Sequence, residues 1–293
     1  MILGPSFLLE QILNSLQLAM LLFLLTIGLS VIFGLMDYLN LAHGTIYMFA
    51  AYAALSITRL GGSFWLCLLL APIISAAIGL ILYFSLLRRV ETQSHLVQVL
   101  LTVGVIYVGG DLVRLAYGDT PNNVPQPEIL ARTVMIFGIE YPAYRLFIIV
   151  LGLVTQVALY FGLERTRLGA IVRAGVDDRP TVETLGINIG LVFTFVFGLG
   201  AYLAGVAGVA AAPIFGVYPG MDVMIIIMVL IVVVVGGPGS LKGAILGSLL
   251  IAFADTFGKI LLPQFAMVMI YAVMAVVLVF RPHGLLPAGR FRV

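Results

Sequence analysis

The sequence predicts an all-α, polytopic transmembrane bundle, and two observations carry that prediction. Hydrophobic residues make up 62% of the 293-residue chain and charged residues only 10%, whereas ordinary soluble domains carry about 25% charged residues. The apolar residues also fall in long blocks without period-two alternation. In lipid the backbone must satisfy its own hydrogen bonds, so only helices or closed barrels can span, and blocks of this kind select helices. About 20 apolar residues cross the hydrocarbon core. On that measure the spans read as 16–35, 64–87, 96–117, 144–163, 187–212, 243–262 and 265–280, with shorter segments at 45–57 and 221–235. The expectation is a single transmembrane domain over 1–293 with about eight or nine membrane segments, some short or broken.

The first apolar run has no basic residues before it and no small-residue cleavage pattern after it, so it is expected to be a retained helix rather than a leader. Glu10, Gln11, Asn14 and Gln17 recur about one turn apart and share a face predicted to point at the bundle interior or the headgroup layer. The second segment follows the break Asp37-Tyr38-Leu39-Asn40-Leu41-Ala42-His43-Gly44. It reads as a half-helix whose free N–H groups face an anionic part of a solute. His43 fits a hydrogen-bonded structural residue, with a ligand or proton carrier as the alternative. The single cysteine, Cys67, lies in the third block and excludes an internal disulfide; it reads as a small core or lipid-facing side chain. Asp111 and Arg114 are three apart, Asp255 and Lys259 four apart, and each pair can neutralise itself on one helical face. Between the spans at 96–117 and 144–163, an outer loop at 118–142 carries Pro121, Asn122, Asn123, Pro125, Pro127 and Glu128. That composition predicts an ordered lid or docking loop rather than another helix.

The stretch 164–186 then departs from everything around it. Six of the 28 Asp, Glu, Lys and Arg residues fall between Arg167 and Glu183, which marks a loop built to meet something in water. Asp177-Asp178-Arg179-Pro180 reads as a helix start, with acid at the cap and proline in the first turn, and Gly186 suits its end. A second break at 213–220 leads into the segment 221–235, where Asp222 either caps the helix or lines a pathway. Broken helices are tolerated at membrane depth where freed backbone groups line a cavity or are buried in protein. Ile32-Phe33-Gly34-Leu35 before the first break resembles Ile214-Phe215-Gly216-Val217 at the second, which fits two halves of inverted topology or arises by chance. Small residues at Gly198, Gly200, Ala201, Ala204, Gly205, Gly208, Gly243 and Gly247 predict close helix packing. Gly236-Gly237-Pro238-Gly239-Ser240-Leu241-Lys242-Gly243 lacks the Lys-Ser/Thr ending and the preceding strand of a phosphate loop, so it reads as a tight cytoplasmic turn.

The net charge of +2 comes from scattered arginines, which gives no nucleic-acid signature. His43, His95 and His283 have no metal-ligand spacing. No Walker motif, nucleotide fingerprint or Ser-His-Asp arrangement occurs, so neither an enzyme nor an ATP site is expected in this chain. Placing Arg88 and Arg89, 164–186, 236–242 and 281–293 in the cytoplasm puts ten basic residues inside and five near the other face. The positive-inside rule then sets the N-terminus outside and the C-terminus in the cytoplasm.

Four stretches resemble the permease subunits of branched-chain amino-acid type ABC importers. They are Gly34-Leu35-Met36-Asp37-Tyr38-Leu39-Asn40-Leu41-Ala42-His43-Gly44 with Tyr47-Met48, Arg165-Thr166-Arg167-Leu168-Gly169 through Leu185-Gly186-Ile187-Asn188, the run from Gly236 to Gly243, and Arg281-Pro282-His283-Gly284-Leu285-Leu286. The resemblance implies a multi-pass protein of a bacterial or archaeal cytoplasmic (inner) membrane. It implies a second permease subunit, usually non-identical, two ATP-binding subunits that hold the nucleotide, and an extracytoplasmic solute-binding protein. No cofactor is implied in this chain, and no nucleic-acid partner. A short cytoplasmic helix that sits in a groove of the ATPase maps to 174–186, which assigns coupling to Arg173, Asp177, Asp178, Arg179, Glu183 and Gly186. Asn40, His43, Tyr47, Tyr218 and Asp222 are assigned to the pathway lining. The cargo implied is a branched-chain amino acid or a related amino acid, amide, urea or aromatic carboxylate, selected largely by the binding protein. The alternative is an ion-coupled secondary transporter with Asp37 and Asp222 as coupling sites.

Overall fold

A computed structural model describes residues 4–36, 38 and 40–287. The helices are α1 (Pro5–Met36), α2 (His43–Arg59), α3 (Phe64–Leu82), α4 (His95–Tyr117), α5 (Ala143–Leu159), α6 (Arg167–Asp177), α7 (Arg179–Thr184), α8 (Ile189–Phe215), α9 (Met221–Gly236), α10 (Leu241–Leu261) and α11 (Ala266–Phe280). A π-helical turn extends α3 over Tyr83–Leu87 and another extends α5 over Tyr160–Glu164. Six helices are long and apolar enough to cross a membrane: Pro5–Gly34, Phe64–Val90, His95–Tyr117, Ala143–Leu163, Ile189–Phe215 and Leu241–Leu261. With the shorter α2, α9 and α11, the all-α polytopic bundle and its segment number agree with the sequence reading.

From Leu18 onward α1 is predominantly apolar on every side, and a helix of that kind must be enclosed by protein or lipid. Here protein encloses it: Ala19, Leu22, Leu24 and Leu25 are fully buried, with α8, α10, α5 and α9 packed around it. α8 is the second central helix and touches α1, α2 and α3, through a face rich in Gly200, Ala201, Ala204, Ala207 and Ala211. Small side chains let the axes approach closely, as expected for these positions. α4 and α11 lie at the periphery and expose Tyr107, Val108, Leu115, Val276 and Val279. An apolar exterior this broad marks a surface that lipid covers.

The two faces of the bundle are distinct. On one, Arg59 donates to Asn122 at 2.6 Å, and Asn122 pairs with Val217 through backbone hydrogen bonds of 2.8 Å. On the other, the turn after α9 is pinned to α1 by Gly239 N donating to Ser30 O at 3.1 Å. Leu285 N and Leu286 N also donate to Val235 O and Gly236 O there, at 2.8 and 2.9 Å. The break that follows α8 therefore lies at the Arg59 face, and the turn that follows α9 lies at the other.

The loop 118–142 is ordered and non-helical apart from a 3-10 turn at Glu128–Leu130. It also holds a hairpin that the sequence reading did not resolve, β1 (Thr133–Ile136) against β2 (Ile139–Pro142), antiparallel with Ile136 opposite Ile139. The polar stretch departs from its expected boundaries. A single helix over 174–186 is replaced by α6 and α7. Thr166 caps α6 by accepting Gly169 N at 3.1 Å, so helix begins at Arg167. Asp178 then leaves helical geometry, with φ −151° and ψ 88°. Pro180, which has no N–H and would crowd a preceding turn, keeps a continuous helix from running through.

Candidate translocation pathway and coupling segment

α2 does not begin at a membrane face. His43, its first residue, donates Nε2–H to Leu25 O at 3.1 Å, beside the middle of α1. Thr45, in the same turn, donates Oγ1–H to Asp222 Oδ2 at 3.0 Å, and Asp222 lies in the first turn of α9. Two short helices thus start against one another inside the bundle. A helix start leaves N–H groups unpaired and carries a positive dipole end, and Asp222 stands in the first turn of α9, where an acidic side chain is favoured. The approach is close: a Cβ on Gly44 would lie 2.7 Å from Asp222 O. The α2 start meets Asp222 through the Thr45 hydroxyl, while His43 N and Gly44 N donate to Asn40 O and Leu41 O at 3.3 and 3.4 Å.

Of the five residues assigned to the pathway, Asn40, His43 and Asp222 are buried at or next to this junction, at 0%, 0% and 1% exposure. The Asn40 side-chain amide finds no hydrogen-bond partner among the described residues. Tyr47 and Tyr218 stand in front of the junction and line a cavity of about 330 Å³, within the range of small-ligand pockets. Asp37 lies outside the described residues. The cavity is walled by Asn14, Gln17 and Leu21 of α1, Ala211 and Phe215 at the end of α8, Met224 and Met228 of α9, and Asp255, Thr256 and Lys259 of α10. Of the α1 polar face, Asn14 and Gln17 turn to the cavity, while Glu10 is exposed. Lys259 Nζ donates to Asp255 Oδ2 at 2.6 Å. The pairing was legible in the four-residue spacing; its position on a cavity wall was not, because a pair that satisfies itself locally gives no hint of distant neighbours. Arg114 meets Asp111 and Asp119, both at 3.2 Å, on the exposed end of α4.

The coupling segment lies on the face opposite Arg59. Val172 of α6 and Val182 of α7 are buried, while Leu168 and Leu185 are exposed. Asp178 caps α7: Oδ1 accepts Thr181 N at 3.2 Å and Oδ2 accepts the Thr181 hydroxyl at 2.5 Å. Those two bonds hold the Asp178 carboxyl below the usual carboxylate range. The Arg173 guanidinium donates to Leu163 O, tying α6 back to the end of α5. Gly186 takes φ +78° and donates N–H to Glu183 O at 3.0 Å, ending α7 in a left-handed turn that favours glycine. For Asp177 and Arg179 the structure describes the backbone path alone. Two residues later Asn188 caps α8, accepting Leu191 N at 3.2 Å.

Residues 11–278 match the family described as branched-chain amino acid transport system / permease component. The chain belongs to this family. It is 29% identical to the high-affinity branched-chain amino acid transport system permease protein BraD of Pseudomonas aeruginosa, covering 95% of each chain. Against the LivH permease protein of the corresponding system in Escherichia coli K12 the identity is 26%, again over 95% of each. Against LivM of the same organism it is 28% over 93% of this chain and 69% of that one. The fold recurs in a chain of PsaBC from Streptococcus pneumoniae in complex with Fab, with a TM-score of 0.51, 13% identity and coverage of 91% and 89%. The resemblance carried by the four sequence stretches holds: this is a multi-pass inner-membrane permease of the Liv type, and its family is a transport family.

Proposed function

We propose that the chain is one of two permease subunits of an ATP-driven importer that moves branched-chain amino acids into the cytoplasm. The family match over residues 11–278 carries this reading. The relatives named above are permease proteins of high-affinity branched-chain amino acid transport systems, and similarity to both LivH and LivM supports a non-identical partner permease. In this reading two ATP-binding subunits sit against α6 and α7, and a solute-binding protein sits against the face that carries the hairpin. The excess of lysine and arginine on the α6 and α7 face supports the N-terminus outside and the C-terminus in the cytoplasm.

The connectivity gives the coupling a mechanical route. α7 leads through Gly186 and Asn188 directly into α8, and the far end of α8 supplies Ala211 and Phe215 to the cavity wall. A displacement of α7 by a closing ATPase pair is delivered to the central helix and felt at the cavity. Net transport further requires that nucleotide and the loaded binding protein favour different conformations, because only differential affinity shifts such an equilibrium. The ion-coupled alternative gains nothing from Asp222, which is engaged with Thr45 between two helix starts. The test is uptake of labelled leucine by vesicles holding the reconstituted complex. Uptake that needs both ATP and the binding protein is expected; uptake driven by an ion gradient without ATP-binding subunits would contradict the proposal.

A further inference from the structure

The cavity in front of the helix-start junction holds three polar features that the packing of the bundle does not require. Lys259 lies in the last turn of α10, where the helix dipole and the nearby membrane face favour a cation without further help. Asp255, one turn deeper, is 4% exposed, and a carboxylate at that depth is costly unless it has a partner or a task. Gln17 reaches the same cavity from α1, is 5% exposed, and its Nε2 has no hydrogen-bond partner among the described residues. Apart from Asn14, Tyr47, Tyr218 and Thr256, the remaining wall is apolar and adaptable, with Leu21, Leu25, Met221 and Met228. Methionine side chains reshape easily around a branched aliphatic group.

We propose that this cavity is a substrate subsite for a zwitterionic amino acid. The α-carboxylate meets Lys259 Nζ and the unpaired Gln17 amide, the α-ammonium meets Asp255, and the aliphatic side chain lies against the leucines and methionines. A zwitterion brings one charge of each sign, so it exchanges the internal ion pair for two intermolecular ones and buries no net charge. A buried carboxylate left without such a partner would be strongly unfavourable. This inference rests on the import reading and names a site within it.

The first test removes both charges together in the full complex, with Asp255→Asn and Lys259→Met in one variant. A pair that only neutralises itself can be replaced this way with little effect. In complexes that still copurify with the ATP-binding subunits, leucine uptake should fall by about tenfold or more if charge-assisted bonds to the substrate are lost; a smaller loss overturns the proposal. Should the wild-type complex itself import no amino acid, the import reading fails, whatever the variant does. A second test needs no variant. The chain has two lysines, Lys242 and Lys259, so an amine-reactive label on the wild-type complex reports on both. Excess leucine should slow labelling at Lys259 relative to Lys242, and an equal change at the two overturns the proposal.

Discussion

Thr45 and Asp222 are 177 residues apart in sequence, and a single 3.0 Å hydrogen bond joins the starts of α2 and α9. Removing the donor leaves a buried carboxylate short of one partner, a loss of about 1–3 kcal/mol. Thr45→Val should therefore lower the thermal unfolding midpoint of the purified complex in detergent, whereas Thr45→Ser should restore most of it. Gly44 makes a related demand, since any side chain there meets the α9 backbone. Overpacking of this kind costs about 1–3 kcal/mol, so Gly44→Val should lower the same midpoint, and an unchanged midpoint would show that the helix starts are not in contact. At this scale the sequence was half legible. Asp222 was readable as a cap or a pathway residue, and the structure places it at a helix start. Its partner was invisible because neither the spacing nor the composition of either segment refers to the other.

Among the helices, the most informative are the two shortest in the polar stretch. The start signal Asp177-Asp178-Arg179-Pro180 was read correctly as a cap followed by a first-turn proline, and Asp178 does cap α7. The preceding helix, absent from the sequence reading, starts twelve residues earlier at the Thr166 cap. The folded segment holds the Asp178 carboxyl below its usual range through Thr181. The cap is therefore complete above the ordinary carboxylate range and is lost only as pH falls through the lowered folded value. The ratio of binding-protein-stimulated to unstimulated ATP hydrolysis should be flat near neutrality and decline on acidification. Asp178→Asn, which keeps an equally good cap without a titrating group, should remove the part of that decline due to Asp178. Gly186→Ala puts a side chain into a left-handed turn at a cost of about 1–2 kcal/mol. It should weaken the same ratio while leaving the membrane helices folded, as read by helical circular dichroism.

Across the whole molecule, the apolar blocks located the six membrane-length helices found among the described residues, because lipid forces the backbone into self-satisfied helices that composition alone reveals. The hairpin at Thr133–Pro142 escaped because a short two-stranded element in a proline-rich loop is set by its pairing register. The Asp255 and Lys259 wall escaped because a cavity is assembled from helices far apart in sequence. What links these parts in the proposed mechanism is the path from α6 and α7 through α8 to the cavity, and its proposed first step is a cytoplasmic grip on exposed leucines. Cys67, the one native cysteine, is buried, so Leu185→Cys introduces a single reactive thiol at 73% exposed Leu185. In right-side-out membrane vesicles holding the full complex, an impermeant maleimide should leave this position unlabelled, and a thiol cross-linker added after permeabilisation should join it to an ATP-binding subunit. Labelling from the outside, or a cross-link to the solute-binding protein instead, would contradict the account.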